Sequence, residues 1–525
     1  LIACVNVGGL VLLRATSRAQ EIAVRRSLGA TAGDIVRPLA WESTVLAVAG
    51  GAVGLLCAVG ALHVLVGLAP ERMPRLDVLR LSPAPLGLAG AITIVTLLLA
   101  GLPPALLAAR GGLAAPLRFD ARAGRGGAGR RRLRHALVAS QVALALVMLA
   151  GAGLLARSLD RLTSVPLGYR PEHLSILTIT RRIPLTDPNG FQAEFERLYD
   201  RVAPALRALP EVVSLTPVEA PPFFGPQVFV ARWAADARSD AEAAANPFIP
   251  FEIGDQDYFR TFGIRILRGR AFLESEGGDA PPVAIVSRSV AERFWPGQNP
   301  LGRQLRIARD TSANAWRTVV GEAEHIRYRD VRQATPSIFV PWRGFFFQGN
   351  FAVRTRDPLP AALPALRKAV RDADPEATLA RAQPMDGLLA DQLALPRLST
   401  LLLAAFGLAA LLLAATGLYG VMDAAVRERM HELGIRVALG ATPARLRADV
   451  LTWAARLAII GGAAGLLAAL VASRFLRSLL YQISPQDPVA LLGALGLLLV
   501  VTVAAAYVPA WRATRADPVR ALRAE

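Results

Sequence analysis

Lysine and cysteine are almost missing from this chain of 525 residues. Lys368 is the only lysine among the 59 basic residues, and it lies in the sequence LRKAV. A P-loop requires a Gly-Lys-Ser/Thr sequence, so these 525 residues contain no P-loop ATPase. The two cysteines, Cys4 and Cys57, both lie in apolar segments. Neither can therefore form a disulfide in the large polar part of the chain.

Charge is missing from several long stretches. Only 19% of the residues are charged, against about 25% in an average soluble domain. A helix needs roughly 18–20 apolar residues to cross a membrane. Uncharged runs near or above that length cover residues 43–70, 81–109, 135–156, 398–422, 457–473 and 488–511.

The first apolar run, residues 1–13, is too short to span a membrane. It has no initiator Met and stops at Arg14, so we expect the sequence to begin inside a helix, as a fragment or a truncated product. A signal peptide is the alternative. It is disfavoured because no basic segment precedes the run and no clear cleavage site follows it.

The net charge of +18 is unevenly distributed. Residues 157–395 contain 30 basic and 28 acidic residues, so nearly all of the excess lies in short segments beside the apolar runs. One of these, 110–134, has eight arginines and a single acid. Such a distribution follows the positive-inside rule and argues against binding of nucleic acid. The basic segments are predicted to be cytoplasmic, and 157–395 to lie on the other side.

The predicted fold is an α-helical integral membrane protein, a transmembrane helix bundle with two repeats, into which an α/β periplasmic domain is inserted. The predicted parts are a first membrane repeat, an Arg-rich cytoplasmic linker, a transmembrane helix, the periplasmic domain and a second membrane repeat. Their bounds are 1–118, 119–135, 136–156, 157–395 and 396–525. The first repeat has helices at about 1–13, 43–69 and 86–109, and the second at about 398–422, 449–473 and 488–511.

A ten-residue segment occurs twice and shows that the membrane unit is duplicated. Residues 21–30 read EIAVRRSLGA, and residues 432–441 read ELGIRVALGA. Further along, PALLAAR at 104–110 corresponds to PAWRATR at 509–515. An internal repeat over this distance indicates one structural unit used twice.

Each copy of the segment has the features of a short helix followed by a turn. Glu21 precedes Arg25 by four residues, as Glu432 precedes Arg436, and this order of charges stabilises a helix. Glycine then ends the helix. Two copies with the same charges favour a docking element over an ordinary surface helix. The candidate docking residues are Glu21, Arg25, Gly29, Ala30, Glu432, Arg436, Gly440 and Ala441.

A capping residue follows each copy and predicts a second helix that enters the membrane. Thr31 and Thr442 occupy the capping position. Asp34 stands three residues after Thr31, as in a capping box, and Pro443 suits the first turn after Thr442.

The periplasmic domain is predicted to be mixed α/β with two subdomains. Short β-rich runs alternate with amphipathic ones. The predicted strands are 174–180, 283–286, 318–320, 337–340 and 351–353, and the predicted helices are 192–209, 287–294 and 359–372.

The repeat, the topology and the periplasmic domain together resemble the MacB/FtsX-type (type VII) ABC transporter permeases. The domain adds the sequences DYFRTFGIRILRGRAF (257–272), PVAIVS (282–287), AERFW (291–295), NPLG (299–302), VVGE (319–322) and PSIFVP (336–341). In its tandem arrangement the chain also resembles the duplicated orphan permeases (ADOP) of acidobacteria.

The resemblance implies FtsX-like permease repeats around a MacB-like periplasmic core domain in the bacterial inner membrane. It implies that the docking residues bind a separate cytoplasmic ATPase, which holds ATP-Mg while this chain binds no cofactor. Motion would then reach the periplasm by mechanotransmission, for export. A periplasmic partner or adaptor is left open, as are a pseudo-dimer within one chain and a homodimer. The alternative function is a non-transporting signalling or scaffold protein of the FtsX type.

Other chemistry finds little support. The five histidines have no metal-ligand spacing, and no carboxylates are paired as acid and base, so neither a metal site nor a hydrolase is predicted. Glu274, Glu276 and Asp279 suggest a solvated acidic turn. Two aromatic loops, 221–225 and 345–347, either contact a lipidic ligand, a partner or the membrane, or pack on their own domain. The arginines of 110–134 are expected to bind anionic lipid headgroups, and the segment also to serve as a flexible tether that enforces orientation.

Overall fold

The computed structural model describes, apart from a few isolated positions, residues 30–68, 126–181, 188–223, 230–236, 240–278, 280–308, 316–343, 349–428 and 442–513. The chain divides into two compact units. A membrane unit combines Leu1–Arg161 with Leu395–Glu525, and a periplasmic unit is formed by Leu162–Ala394.

Helices dominate the first unit, and strands with shorter helices form the second. The helices are α1 (Ala32–Leu68), α2 (Gly126–Thr163), α3 (Pro188–Arg207), α4 (Asp240–Ala244), α5 (Tyr258–Phe262), α6 (Arg288–Phe294), α7 (Leu359–Ala373), α8 (Met385–Glu428), α9 (Pro443–Ala472) and α10 (Pro488–Ala513). The strands are β1 (Leu174–Arg181), β2 (Val212–Val218), β3 (Val230–Ala231), β4 (Trp233–Ala235), β5 (Ile249–Gly254), β6 (Ile266–Gly269), β7 (Val283–Ser287), β8 (Gln304–Ile307), β9 (Arg317–Ala323), β10 (Ile338–Pro341), β11 (Asn350–Thr355) and β12 (Ala377–Pro384).

Among the described helices, α1, α2, α8, α9 and α10 are long and apolar enough to cross a membrane. Helices α2 and α8 reach beyond their uncharged runs at both ends, α1 and α9 only at the N-terminal end, and α10 only at the C-terminal end. Charged residues at these ends continue the helix out of the hydrocarbon region. The predicted helix 1–13 lies outside the described residues. Of the predicted helix 86–109, only isolated positions are described. The predicted fold class, a helical membrane protein with an inserted α/β domain, is confirmed.

Helix α2 has a central place in the membrane unit. Val138, Val142 and Leu146 are almost completely buried and belong to one apolar cluster with residues of α8, α9 and α10. Gly151, one turn beyond Leu146, shows how close the helices come. A Cβ added to it would lie 2.9 Å from Leu403 Cδ2 of α8. Small residues permit this approach, as is usual for helices packed inside a membrane.

Two sheets form the periplasmic unit. A four-stranded antiparallel sheet has the order β12-β1-β11-β2. A larger mixed sheet has the order β3-β5-β10-β7-β9-β8-β4, with β6 paired to β9. In the larger sheet β10 runs parallel to β5 and β7 runs parallel to β9. The two sheets agree with the two subdomains that the sequence predicts.

The four-stranded sheet is buried on both faces. Leu174 and Ile176 of β1 pack in one apolar cluster, and Leu177 and Ile179 pack in another. This alternation follows from the two-residue period of a strand. Helix α7 covers the second face, since its buried residues recur every three or four positions as one stripe of a helix.

Every strand and helix that the sequence predicts in the periplasmic domain is present, with ends shifted by a few residues. Prediction missed the strands β2, β3, β4, β5, β6, β8 and β12 and the short helix α4. It also missed α5, where Asp257 precedes the helix and Gly263, in the left-handed conformation at φ 68°, ends it. Only glycine adopts this conformation freely, so Gly263 is a normal helix stop.

Candidate functional site

The first cytoplasmic junction has the capping box that the sequence predicts. The backbone N–H of Thr31 donates to Asp34 Oδ2 at 2.9 Å, and the Thr31 hydroxyl donates to the same oxygen at 2.6 Å. In return, the N–H of Asp34 donates to Thr31 Oγ1 at 3.4 Å. These hydrogen bonds from Thr31 lower the pKa of the exposed Asp34 carboxyl. The box fixes the start of α1.

The second cytoplasmic junction, at the start of α9, has no such capping box. Thr442 precedes α9 in an extended conformation, and Pro443 occupies the first turn, but the Thr442 side chain makes no capping hydrogen bond. Arg436 lies 3.5 Å from Asp449 of α9, and both side chains are about half exposed. An exposed pair of this kind contributes little stability, up to ~1 kcal/mol. The pair leaves Arg436 accessible to a partner.

Most of the predicted docking residues lie outside the described part of the chain. Ala30 and Arg436 are described, and the latter is exposed. The docking role therefore stays a prediction. The residues outside are Glu21, Arg25, Gly29, Glu432, Gly440 and Ala441.

At the other end of the membrane unit, α2 is bonded to the segment that joins α9 to α10. Arg157 of α2 forms a salt bridge with Asp487. The next residue, Ser158, accepts a hydrogen bond at 2.8 Å from the N–H of Tyr481. We call these residues the outer clamp: Arg157, Ser158, Tyr481 and Asp487. The clamp holds α2 to the loop by one charged and one neutral contact.

Asp487 also caps α10. Its Oδ1 accepts a hydrogen bond from the N–H of Ala490 at 2.9 Å. Desolvation acts to raise the pKa of Asp487, but the hydrogen bonds from Ala490 and Arg157 outweigh it and lower the pKa. Sequence analysis missed this residue. The pattern Asp-Pro directly before an apolar run is a helix start and could have indicated it.

Helix α8 is continuous from the periplasmic unit into the membrane unit. Its 44 residues, at 1.5 Å each, span about 66 Å. The helix contains Pro396, one residue past the boundary between the two units. Proline lacks an N–H and removes one backbone hydrogen bond from the helix. The hydroxyl of Thr400 donates to the Pro396 carbonyl at 2.8 Å at this place.

Two clusters of buried charged groups lie in the periplasmic unit. In the first, Arg329 donates to both carboxylate oxygens of Glu252 in β5, at 2.9 and 2.7 Å. Both side chains are almost completely buried. In the second, Asp255 accepts hydrogen bonds from the Tyr199 hydroxyl at 2.7 Å and from Arg207 at 2.6 Å. Tyr199 and Arg207 belong to α3, so this cluster joins α3 to the end of β5.

Glu219 is a third buried acid, next to the Glu252–Arg329 pair. Burial raises its pKa to about 8, the negative charge of Glu252 adds to the effect, and Arg329 opposes it. Within the described residues its Oε1 has no hydrogen-bond partner. Glu219 is therefore mostly protonated at neutral pH. No sequence pattern indicated it, because its charged neighbours are distant along the chain.

The turn that contains Glu274 and Glu276 is less exposed to solvent than the sequence suggests. Arg270 donates to both oxygens of Glu276, at 3.0 and 2.5 Å, and the Glu276 side chain is only 10% exposed. Glu276 also accepts the N–H of Leu273 at 2.8 Å. The interpretation as a solvated turn is therefore wrong for Glu276, which is a structural residue. Asp279 lies outside the described residues, as do most of the two aromatic loops.

Among the described residues no group of three or more His, Cys, Asp or Glu side chains could hold a metal ion. The charged clusters are ion pairs buried between secondary-structure elements.

Two protein-family models match the chain. The FtsX-like permease C-terminal model matches residues 1–113 and 404–518, and the MacB-like periplasmic core domain model matches residues 136–373. Together with the five apolar helices, these matches define a multi-pass membrane protein with a periplasmic domain. The chain belongs to the MacB/FtsX-type permeases. The further resemblance to the duplicated orphan permeases of acidobacteria stays a prediction.

Named relatives are export proteins. The macrolide export ATP-binding/permease protein MacB of Syntrophobacter fumaroxidans is 35% identical over 126 residues, 24% of this chain and 18% of that protein. The pyoverdine export ATP-binding/permease protein PvdT of Pseudomonas putida is 27% identical over 294 residues, 52% of this chain and 43% of that protein. The chain thus spans less than half the length of either relative.

A solved structure is also similar. The periplasmic region of MacB from Actinobacillus actinomycetemcomitans matches at 12% identity and a TM-score of 0.29, and the match covers 44% of this chain and 96% of that one.

Replacing Asp487 should weaken the outer clamp. Asp487→Ala removes both the cap on α10 and the charge facing Arg157, and we expect a loss of about 1–2 kcal/mol in unfolding free energy. Asp487→Asn keeps an acceptor for the N–H of Ala490 and should lose less. Thermal unfolding in detergent measures both variants. Equal stability of Asp487→Ala and the parent would show that the clamp contributes nothing.

Glu219 should make the periplasmic unit less stable as pH rises. Its folded pKa of about 8 lies above the ordinary value of 4.5. The folded state therefore holds a proton that the unfolded chain releases, and stability falls between about pH 4.5 and pH 8. Glu219→Gln should remove this fall, as measured by thermal unfolding of the full chain at several pH values.

Glu252→Gln is the matched control, because it makes the same chemical change at the neighbouring buried acid. It leaves Arg329 buried without its charged partner and should cost about 3–5 kcal/mol at every pH. A pH profile unchanged by Glu219→Gln would contradict the assignment of the proton to Glu219.

Proposed function

We propose that this chain is the permease component of an ABC transporter whose ATPase is a separate protein. It couples ATP hydrolysis by that ATPase to a conformational change in the periplasmic domain. Membership in the MacB/FtsX-type permeases and the lack of a P-loop in these 525 residues support this function. ATP-Mg is held by the ATPase, and this chain binds no cofactor.

The observation that carries the proposal is the continuity of α8. One helix begins at Met385 in the periplasmic unit and ends at Glu428, near the second copy of the repeated segment. An α-helix is stiff along its axis, because each backbone hydrogen bond links successive turns. A displacement at the cytoplasmic end of α8 is therefore transmitted along the helix to the periplasmic unit.

The ATPase docks on the two repeated segments. The candidate contacts are Glu21, Arg25, Gly29 and Ala30 in the first copy, and Glu432, Arg436, Gly440 and Ala441 in the second. The capping box of Thr31 and Asp34 supports this role, because it fixes the chain direction where the first segment meets α1. A force on the first docking segment is therefore transmitted to α1, because the connection between them is fixed.

The charged clusters of the periplasmic unit and the outer clamp make the receiving end rigid. Arg329 is paired with Glu252 of β5, and Asp255 at the end of β5 is paired with Arg207 of α3. Arg157 and Asp487 hold α2 to the loop before α10. With both regions stiff, bending concentrates at the weakest point of α8, the proline at 396.

Export is the activity that the relatives favour. The names of MacB and PvdT refer to the export of a macrolide and of pyoverdine. We therefore propose that the chain moves a small molecule or a peptide out of the periplasm. The alternative, a signalling or scaffold protein of the FtsX type, is not favoured.

The arginines of 110–134 bind anionic lipid headgroups, and the two repeats form a pseudo-dimer within one chain.

The docking proposal is tested by replacing charges in the second segment. Glu432→Ala with Arg436→Ala should weaken binding of the ATPase and its stimulated hydrolysis by about tenfold, since each lost interfacial charge pair is worth roughly 1 kcal/mol or more. Pull-down and ATP hydrolysis with the reconstituted pair give the measurement.

Asp423→Ala with Arg427→Ala is the matched control. These two residues are also an acid and an arginine four positions apart, joined by a 2.9 Å salt bridge at the end of α8. The control has the same change of charge and should retain binding. Undiminished binding and hydrolysis in the Glu432 and Arg436 variant would refute docking at the second segment.

A further inference from the structure

The short loop that joins α9 to α10 is an exception to the charge bias of the chain. Short loops on the outer side of a membrane are normally poor in arginine, yet Arg474 and Arg477 both lie in this one. The loop has a single acid, Asp487, and that carboxylate is already paired with Arg157 of the outer clamp. Two positive charges are therefore left without a counter-charge within the loop.

Helix α9 determines the depth of these two arginines in the membrane. Its uncharged run, 457–473, measures about 26 Å at 1.5 Å per residue. The hydrocarbon core of a bilayer is about 30 Å thick. A helix that enters the hydrocarbon after Arg456 therefore reaches the headgroups of the outer leaflet near Arg474. The start of the loop thus lies at the level of the lipid phosphates.

Residues 473–480, which we call the outer segment, continue as helical turns beyond the end of α9. A turn of 3-10 helix covers Ser473–Leu476. The N–H groups of Leu479 and Leu480 then both donate to the Leu476 carbonyl, at 2.8 and 3.1 Å. Because these hydrogen bonds join residues three and four apart, the side chains of the outer segment are arranged around a helix axis.

The outer segment has an apolar face and a basic face. With about 3.6 residues per turn, its apolar and polar side chains fall on opposite sides of the axis. Phe475 is 84% exposed, more than any other large apolar side chain that the structure describes, and Leu479 is 44% exposed. Phenylalanine and leucine on one face with arginine on the other are typical of helices that lie in a membrane interface. The apolar residues are Phe475, Leu476, Leu479 and Leu480, and the polar ones are Arg474, Arg477 and Ser478.

Both arginines of the outer segment are available to a ligand. Their side chains are exposed, and no carboxylate of the described residues forms a salt bridge with either of them. The planar guanidinium of arginine binds a phosphate group by two parallel hydrogen bonds. Charge complementarity therefore favours a phosphate as the ligand. The depth that α9 gives to Arg474, and the apolar face beside it, favour the phosphate of a lipid over one in solution.

We propose that the outer segment binds the headgroups of anionic phospholipids in the outer leaflet of the membrane. Arg474 and Arg477 contact the lipid phosphates, and Phe475 and Leu479 enter the acyl-chain region beside them. This contact does not depend on the proposed function, so its tests need neither an ATPase nor ATP.

The bound lipid also holds α2 at a fixed depth. Directly after the outer segment, the N–H of Tyr481 donates to Ser158 of α2 at 2.8 Å. Asp487, at the other end of the same loop, is paired with Arg157 of α2. Because the outer clamp joins the loop to α2 at these two places, a lipid contact that fixes the outer segment in the interface fixes the outer end of α2 with it.

Insertion of the apolar face is tested with a fluorophore on Leu479→Cys in the full chain, with Cys4 and Cys57 replaced, in lipid vesicles. Lipids with a nitroxide on the acyl chain should quench this fluorophore strongly, and iodide in the water should quench it weakly. The matched control is the same fluorophore on Gln482→Cys, an exposed polar position just beyond the outer segment. There iodide should be the stronger quencher.

The preference for anionic lipid is tested with the same fluorophore on Leu479→Cys and two nitroxide lipids, phosphatidylglycerol and phosphatidylcholine, each present as a trace in phosphatidylcholine vesicles. Phosphatidylglycerol should be the enriched quencher in the parent chain. Arg474→Gln with Arg477→Gln should remove this enrichment, roughly fivefold for each arginine near an anionic lipid. Arg474→Lys with Arg477→Lys keeps the charge and should retain most of it.

Arg367→Gln with Arg371→Gln is the matched control for loss of charge. These two arginines are exposed on α7 of the periplasmic unit, and the control removes the same two positive charges from the chain. It should leave the enrichment of phosphatidylglycerol unchanged. Thermal unfolding of each variant checks that the fold is retained.

Four outcomes would overturn the proposal. The first is equal quenching by iodide at positions 479 and 482, which would place the outer segment in water. The second is protection of position 479 from both quenchers, which would show that protein covers the apolar face, either a second copy or another part of this chain. The third is equal quenching by the two nitroxide lipids in the parent chain. The fourth is the same loss of enrichment in the Arg367 and Arg371 variant, which would assign the preference to net charge.

Discussion

A lipid bilayer offers no water to replace a broken backbone hydrogen bond, and this constraint shapes the whole membrane unit. Segments that cross the membrane must be helices whose backbone groups are all paired. Any movement that passes from one side to the other must therefore do so as displacement of intact helices. Helix α8 follows this rule, since it stays helical from Met385 to Glu428 and continues through Pro396. The capping box of Thr31 and Asp34 fixes the start of α1, and the outer clamp holds α2 to the loop before α10.

The periplasmic unit contains an ion pair that is buried from water. Glu252 and Arg329 are both removed from water and satisfy each other by two hydrogen bonds. A buried pair of this kind is weak evidence for stability, because apolar residues of the same volume would often be as stable. Glu219 beside the pair stays mostly protonated at neutral pH, because burial raises its pKa and the negative charge of Glu252 adds to the effect.

The sequence was most informative where one physical rule acts over many neighbouring residues. Uncharged runs predicted the membrane helices that are described, and the Thr31 and Asp34 spacing predicted a capping box that is present. Contacts between distant residues could not be predicted in this way. Arg157 and Asp487 are 330 positions apart, and Arg329 and Glu252 are 77 apart. A single sequence contains no period or motif that pairs them, because only the fold brings them together. Most of the docking residues remain predictions, as they lie outside the described part of the chain.

Mechanical coupling through α8 is tested most directly by interrupting the helix at the boundary of the two units. Spin labels at Leu273→Cys and Phe475→Cys, both exposed, report the distance between the periplasmic unit and the outer loop of the membrane unit in a chain with Cys4 and Cys57 replaced. With the ATPase present, ATP should shift this distance in the parent chain. Two glycines inserted between Leu395 and Pro396 should abolish the shift while ATP hydrolysis continues. An unchanged shift in the insertion variant, or no shift in the parent chain, would contradict coupling through this helix.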